Sequence, residues 1–171
     1  LLTDRLLLGA LSPERIERIR GSLLDTGSGR SMIAYMAPWS NEQTIERETV
    51  DAVVSHAVLE HVTDPDAAYR ALAMWLRPGG MMSHQIDLTS HGITTEWNGH
   101  WAIPEPVWRA TMGKRTYLIN RMPCSAHIDL LHEHGFEIVL LMKKQRGTGI
   151  DRSRLSKRWK TLSDDDLAPV R

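Results

Sequence analysis

Residues 50–87 restrict the fold more than any other part of this chain. An apolar run, a proline-initiated amphipathic stretch, a Pro-Gly-Gly turn and a second apolar run follow one another there without interruption. Val50, Ala52, Val53 and Val54 are broken only by Asp51. Continuous apolarity of this kind suits a strand covered on both faces of a parallel sheet, because a half-exposed strand would alternate. Asp64-Pro65 then carries the two marks of a helix start, an acidic N-cap and a first-turn proline. Ala68, Leu72 and Leu76, with Ala71 and Trp75 beside them, recur at helical spacing and predict a stripe facing the sheet. Pro78-Gly79-Gly80 is expected to end that helix, since proline cannot continue it and glycine accepts positive φ. Residues 81–86 then read as the next strand. A strand–helix–strand unit of this length implies parallel strands joined by a right-handed crossover.

The same pattern extends in both directions. Ser12 is placed to cap a helix over Pro13–Leu24, and residues 32–36 read as a short strand. Downstream, residues 126–134 read as a helix capped by Ser125 and stopped by Gly135, and residues 136–142 as another buried strand. His127, His132 and His134 are expected on its surface. Alternating helices and strands define an α/β fold, a Rossmann-like open and mostly parallel sheet flanked by helices. Residues 88–122 break the alternation except for a short helix near residues 105–112, and read as a lid or substrate-binding insertion. Residues 143–160 hold eight basic side chains against the single acid Asp151, followed by the acids Asp164, Asp165 and Asp166. A charge run of this kind reads as a solvated amphipathic tail rather than an anionic-substrate contact.

A formal net charge of zero gives no pull toward nucleic acid or a membrane surface, so neither is an expected partner. The lone Cys124 excludes an internal disulfide and fits a reducing, cytoplasmic setting. The leucine-rich start is interrupted by Asp4 and Arg5 and is too short to span a bilayer.

Open α/β sheets bind ligands beyond the carboxyl ends of their strands. Parallel strands would bring residues 55–61 and residues 84–91 out on one edge, so His56, Glu60, His61, His84, Asp87 and His91 are expected to converge there. His61 and His84 are the candidate general bases, because imidazole titrates in the right range.

The ordered string VDAVVSHAVLEHVTDPDAAYRALAMWLRPGGMM resembles the fourth-strand to fifth-strand region of class I S-adenosylmethionine-dependent methyltransferases. The shared pattern is an acid opening a hydrophobic strand, a Leu-Glu-His-Val segment, Asp-Pro, an amphipathic helix and Leu-x-Pro-Gly-Gly. The continuation HQIDLTSH, WNGHW and INRMPCSAHIDLLHEHGFEIV is similar to bacterial methyltransferase-domain proteins with a polar insertion after strand five.

The resemblance implies S-adenosyl-L-methionine as cofactor and a small-molecule acceptor, with O-methylation favoured. It places Ser55, His56 and Ala57 beside the methionine part of the cofactor, and Leu59 and Val62 near the adenine or as anchors of the next helix. Pro38 and Trp39 would flank the adenine. The family's glycine-rich loop and ribose-binding acid are expected to be absent. LLDTGSG at residues 23–29 lies too close to Val50 for the intervening helices and strands, so it reads as a turn. The chain is therefore read as one partial methyltransferase domain over residues 1–171, truncated at both ends. Its core would be residues 13–87 and 123–142, with the insertion at 88–122 and a basic tail at 143–171. Glu60-His61 also resembles the end of the Glu-x-x-Glu-His metal pattern of small-RNA 2′-O-methyltransferases. Ala57 stands where the first glutamate belongs, so no metal ligand is assigned, although His84, Asp87 or His91 could substitute. Two other readings follow from the same residues: a non-catalytic methyltransferase-like binding module, and a metal-dependent hydrolase built on His84, Asp87 and His91.

Overall fold

The computed structural model describes residues 3–25, 32–36, 42–112, 115, 118–144 and 148–168. They form two compact units, Leu1–Thr44 and Ile45–Arg171. In the first, helix α1 (Asp4–Ala10) is followed by α2 (Pro13–Leu24). Helix α2 begins as its sequence dictates: Pro13 occupies the first turn, and Ser12 Oγ accepts the Arg15 N–H at 3.3 Å. Residues 32–36 are irregular rather than the expected strand. Met32 and Tyr35 are exposed, and among the described residues no neighbouring strand offers a backbone ladder. The turn expected at residues 23–29 is described only as far as Asp25, and Pro38 and Trp39 lie outside the described residues.

The second unit is built on strand β1 (Val50–His56), helix α3 (Pro65–Trp75) and strand β2 (Leu76–Gln85). The two strands pair in parallel, as the crossover pattern requires. Asp64 caps α3 by accepting the Ala67 N–H at 3.0 Å. The predicted stripe is buried: Ala68, Ala71, Leu72 and Trp75, joined by Tyr69, which is wholly enclosed.

Two details of this unit depart from expectation. Helix α3 already stops at Trp75, and Leu76 is extended and paired with Val50. The ladder then skips, so that Ala52 faces Met81. Arg77, Pro78, Gly79 and Gly80 therefore bulge out within β2 rather than forming a turn after the helix. A Cβ at Gly80 would meet the Arg77 and Val50 carbonyls at 2.9 and 3.2 Å, so the close backbone approach requires glycine. The sheet is also covered on one face only among the described residues. Val53 and Met82 pack toward α3, while Val54 is 79% and Met81 74% exposed. The apolar run that predicted burial on both faces thus leaves half of its side chains in the open.

Helix α4 (Glu105–Thr111) lies where the sequence placed it, and α5 (Cys124–Glu133) follows. Pro123, not Ser125, occupies the N-cap of α5. Ser125 sits in the first turn, where its N–H and hydroxyl both donate to the Asp166 carboxylate, at 2.9 and 2.7 Å. Gly135 stops the helix at φ +81°, and Phe136 turns back to pack on the β1–α3–β2 core. Beyond it the expected strand over residues 136–142 does not form. Val139 is 92% and Met142 81% exposed, again with no strand beside them among the described residues.

Residues 88–122 and 148–168 share a second core. Trp101, Ile150, Leu155, Trp159 and Leu162 are buried together, with Trp97 and Leu167 against them. Asn98 has no exposed surface; its amide accepts the Ile150 N–H at 2.7 Å and donates to the Ile150 carbonyl at 3.2 Å. The short helix α6 (Asp164–Leu167) follows. The expectation of a solvated tail is therefore corrected: apolar residues anchor the segment, and its charges pair locally. Arg154 meets Glu96 at 2.7 Å, Arg158 meets Glu105 at 2.7 Å, Arg152 meets Asp164 at 2.5 Å, and Lys143 pairs with Asp165. Among the described residues no helix is long and apolar enough to cross a membrane.

Candidate functional site

The parallel ladder carries the two candidate loops off the same sheet edge. Its last bond runs from the Ala57 N–H to the Gln85 carbonyl at 2.9 Å. One step back, Ser55 and His84 are register partners, and Ser55 Oγ is hydrogen-bonded to His84 Nδ1 at 2.7 Å. The His84 ring faces the helices rather than the rim, edge-on to Tyr69 at 6.4 Å between centroids. Tyr69 Oη is in turn hydrogen-bonded to His127 Nδ1 at 2.9 Å. Burial holds His84 below the usual histidine range. It lowers His127 to about 4, helped by repulsion from His84, and burial raises the Tyr69 phenol well above its ordinary value. His127 is thus an enclosed residue and not the surface histidine its helix position suggested. His132 is exposed as expected, and His134 is half-buried on Asp66 at 2.9 Å.

The loop leaving β1 turns sharply. Ala57 sits at φ +54°, a left-handed conformation that few residues with a Cβ adopt. Leu59–His61 then form one 3₁₀ turn. Leu59 is buried with Tyr69, Leu72 and Trp75. Asn120 clamps this turn from 58 residues or more away. Its side-chain amide donates to the Leu59 and Val62 carbonyls at 2.8 and 3.0 Å, and its backbone N–H donates to the Glu60 carbonyl at 2.7 Å. No spacing or periodicity in the sequence connects Asn120 to Glu60; only the fold does.

Glu60 itself is 2% exposed, and among the described residues neither carboxylate oxygen has a hydrogen-bond partner. His61 Nδ1 is likewise buried and unpartnered. From the loop after β2, His91 brings its ring edge-on to His61, with 5.1 Å between centroids. Glu60, His61 and His91 offer ligand atoms that all lie within 4.8 Å of one another. Asp87 Oδ1 accepts the Thr89 N–H at 2.9 Å, shaping this second loop. Between the loops lies a narrow polar cleft of about 10 Å³, room for one water, lined among others by Glu60, Asp87, Thr89, His100, Asn120 and Arg121. His100 is 1% exposed, and burial, followed by the Arg121 charge, lowers it to about 3, so it is neutral at physiological pH. Arg121, also buried, is lowered to about 10 by desolvation and stays a cation, paired with Glu105 and stacked 4.3 Å over Trp108.

Of the residues expected to converge, Glu60, His61 and His91 come together. His84 lies on the ladder beneath them, bonded to Ser55. His56 and Ala57 are exposed at the end of β1. The trio His84, Asp87 and His91 does not form a ligand group, because His84 is directed to Ser55 and Tyr69.

These features define an α/β protein whose polar site lies off the carboxyl edge of a parallel strand pair. Residues 11–83 match a family model described as a methyltransferase domain. Comparison with curated proteins and with solved structures gives no match to the chain.

Proposed function

We propose that the protein transfers the methyl group of S-adenosylmethionine to an oxygen of a small-molecule acceptor. The methyltransferase domain supports S-adenosylmethionine-dependent methyl transfer as the reaction. The observation that carries the oxygen reading is the Ser55–His84 pair.

When bound, the cofactor supplies a methyl group on a sulfonium sulfur, open to in-line displacement. The end of β1 suits it: His56 and Ala57 are exposed there, and the left-handed turn at Ala57 opens the backbone toward the rim. Ser55, His56 and Ala57 would lie along its methionine part. Positioning supplies much of the acceleration in such a displacement, and the acceptor must also lose its proton. His84 is held neutral by burial, so its Nδ1 takes a proton through the Ser55 hydroxyl without first having to shed one. His61, on the clamped turn, positions the acceptor.

Radiolabelled methyl transfer by the protein to a panel of phenols, catechols and sugars tests this reading. Ser55→Ala and His84→Asn should each lower kcat by about 100-fold or more, and His84→Asn should leave cofactor affinity within a few-fold. Unchanged kcat in both variants, or methyl groups recovered on nitrogen or carbon, would overturn it.

A further inference from the structure

Burying a carboxylate without a partner costs several kcal/mol, and proteins rarely leave one so. Glu60 is 2% exposed with both oxygens bare, although hydrogen-bond donors stand close by. Those donors are committed elsewhere. The Asn120 amide holds the Leu59 and Val62 carbonyls, and Arg121 gives its guanidinium to Glu105 and to the His100 and Ile103 carbonyls. The turn is fixed by its backbone, and its carboxylate is kept free.

What faces that carboxylate is a pair of imidazoles. His61 Nδ1 is buried and unpartnered. His91 Nδ1 lies 3.0 Å from the Thr89 carbonyl, which can only accept, so Nδ1 carries a proton and Nε2, 3.9 Å from Asp87 Oδ2, is the ring nitrogen left to meet an ion. Histidines that ligate metals are oriented in this way, one ring nitrogen donating to a carbonyl and the other turned to the ion. The candidate ligand atoms lie within 4.8 Å of one another. Two ligands on one tetrahedral ion, with bonds of about 2.1 Å, sit roughly 3.4 Å apart, so closure needs only side-chain rotation.

We infer that Glu60, His61 and His91 form a binding site for one divalent transition-metal ion of the zinc type. Two imidazoles and one carboxylate suit zinc or cobalt rather than magnesium or calcium, which take oxygen ligands. Three protein ligands leave a coordination position open toward the pocket that Glu60 also lines. On the methyl-transfer reading, that position would receive the acceptor oxygen.

The test uses chain stripped with chelator, dialysed and titrated with Zn²⁺ by calorimetry, then with Co²⁺ by visible absorption, without cofactor or acceptor. One equivalent of Zn²⁺ should bind, Mg²⁺ should not compete, and Co²⁺ should show tetrahedral bands without the charge-transfer band of a Cys124 thiolate. Glu60→Gln and His91→Ala should each weaken binding by more than about tenfold, whereas exposed His132→Ala should not. Zn²⁺ should also raise the Tm of wild type and not of the two variants, which shows that each variant folds. Absent binding, or binding unchanged in both variants, overturns the site. Binding that disappears in both variants while methyl transfer survives chelation keeps the site and refutes its part in the reaction.

Discussion

Replacing Asn120 with alanine should loosen the turn that carries Glu60 and His61. The side chain makes three hydrogen bonds: it donates to the Leu59 and Val62 carbonyls at 2.8 and 3.0 Å and accepts the Met122 N–H at 3.0 Å. A neutral hydrogen bond contributes about 1 kcal/mol net, so Asn120→Ala should cost about 2–3 kcal/mol. Urea unfolding followed by tryptophan fluorescence is the suitable assay, because five of the six tryptophans lie in the Ile45–Arg171 unit with Asn120. With a slope of about 1.5 kcal/mol/M, the midpoint should fall by about 1.3–2 M at unchanged slope. Asn120→Asp keeps the acceptor for Met122 but sets a carboxylate against two carbonyls, and should be at least as damaging. A loss below about 0.5 kcal/mol for Asn120→Ala would refute the clamp, since that is the scale of a neutral surface substitution.

Acidification should destabilise the Ile45–Arg171 unit through His127. His127 is lowered to about 4 in the folded protein against 6.5 as the ordinary value, so between these limits the unfolded chain binds the extra proton. Stability should therefore fall as pH drops from about 6.5 toward 4, by up to about 1.4 kcal/mol per pH unit from this one group, and His127→Gln should flatten the slope of urea midpoints over that range. Trp101→Ala removes an indole that is 1% exposed and donates to the Arg121 carbonyl at 2.8 Å, and should cost about 3–5 kcal/mol in the same unfolding assay. A cost under about 1 kcal/mol would mean that residues 88–122 and 148–168 do not share a core.

Local signals recovered the elements whose causes are local. Ser12-Pro13 and Asp64-Pro65 start helices because capping needs only a side-chain acceptor and a preset φ, both readable over four residues. The stripe on α3 is buried as its period requires, and the rim loops leave one edge because the strands are parallel. Residues 32–36 and 136–142 carry the apolar composition of strands, yet a strand exists only where a second backbone completes its ladder, and composition says nothing about the partner. The segment over residues 148–168 misled in another way. Ile150, Leu155, Trp159 and Leu162 are separated by 3₁₀ turns rather than a regular helix, so no single period gathers them among the charges. At the site, the convergence of Glu60, His61 and His91 was legible from topology. The Asn120 clamp and the enclosed His127 depend on contacts between residues some 60 positions apart.

The Asn98 amide substitutes for a neighbouring peptide by giving Ile150 both an acceptor and a donor. The next residue is Gly99, and Asn-Gly is the dipeptide whose amide is lost most readily, when the glycine nitrogen attacks the side-chain carbonyl carbon. In the folded chain both partners of that reaction are restrained. The amide is enclosed and doubly bonded to Ile150, and the Gly99 N–H is engaged by the Glu96 carbonyl at 3.2 Å. Folding thus acts here as chemical preservation. Time spent unfolded converts Asn98 to an acid that Ile150 can no longer use as a donor, and the chain ages irreversibly at the joint between residues 88–122 and 148–168.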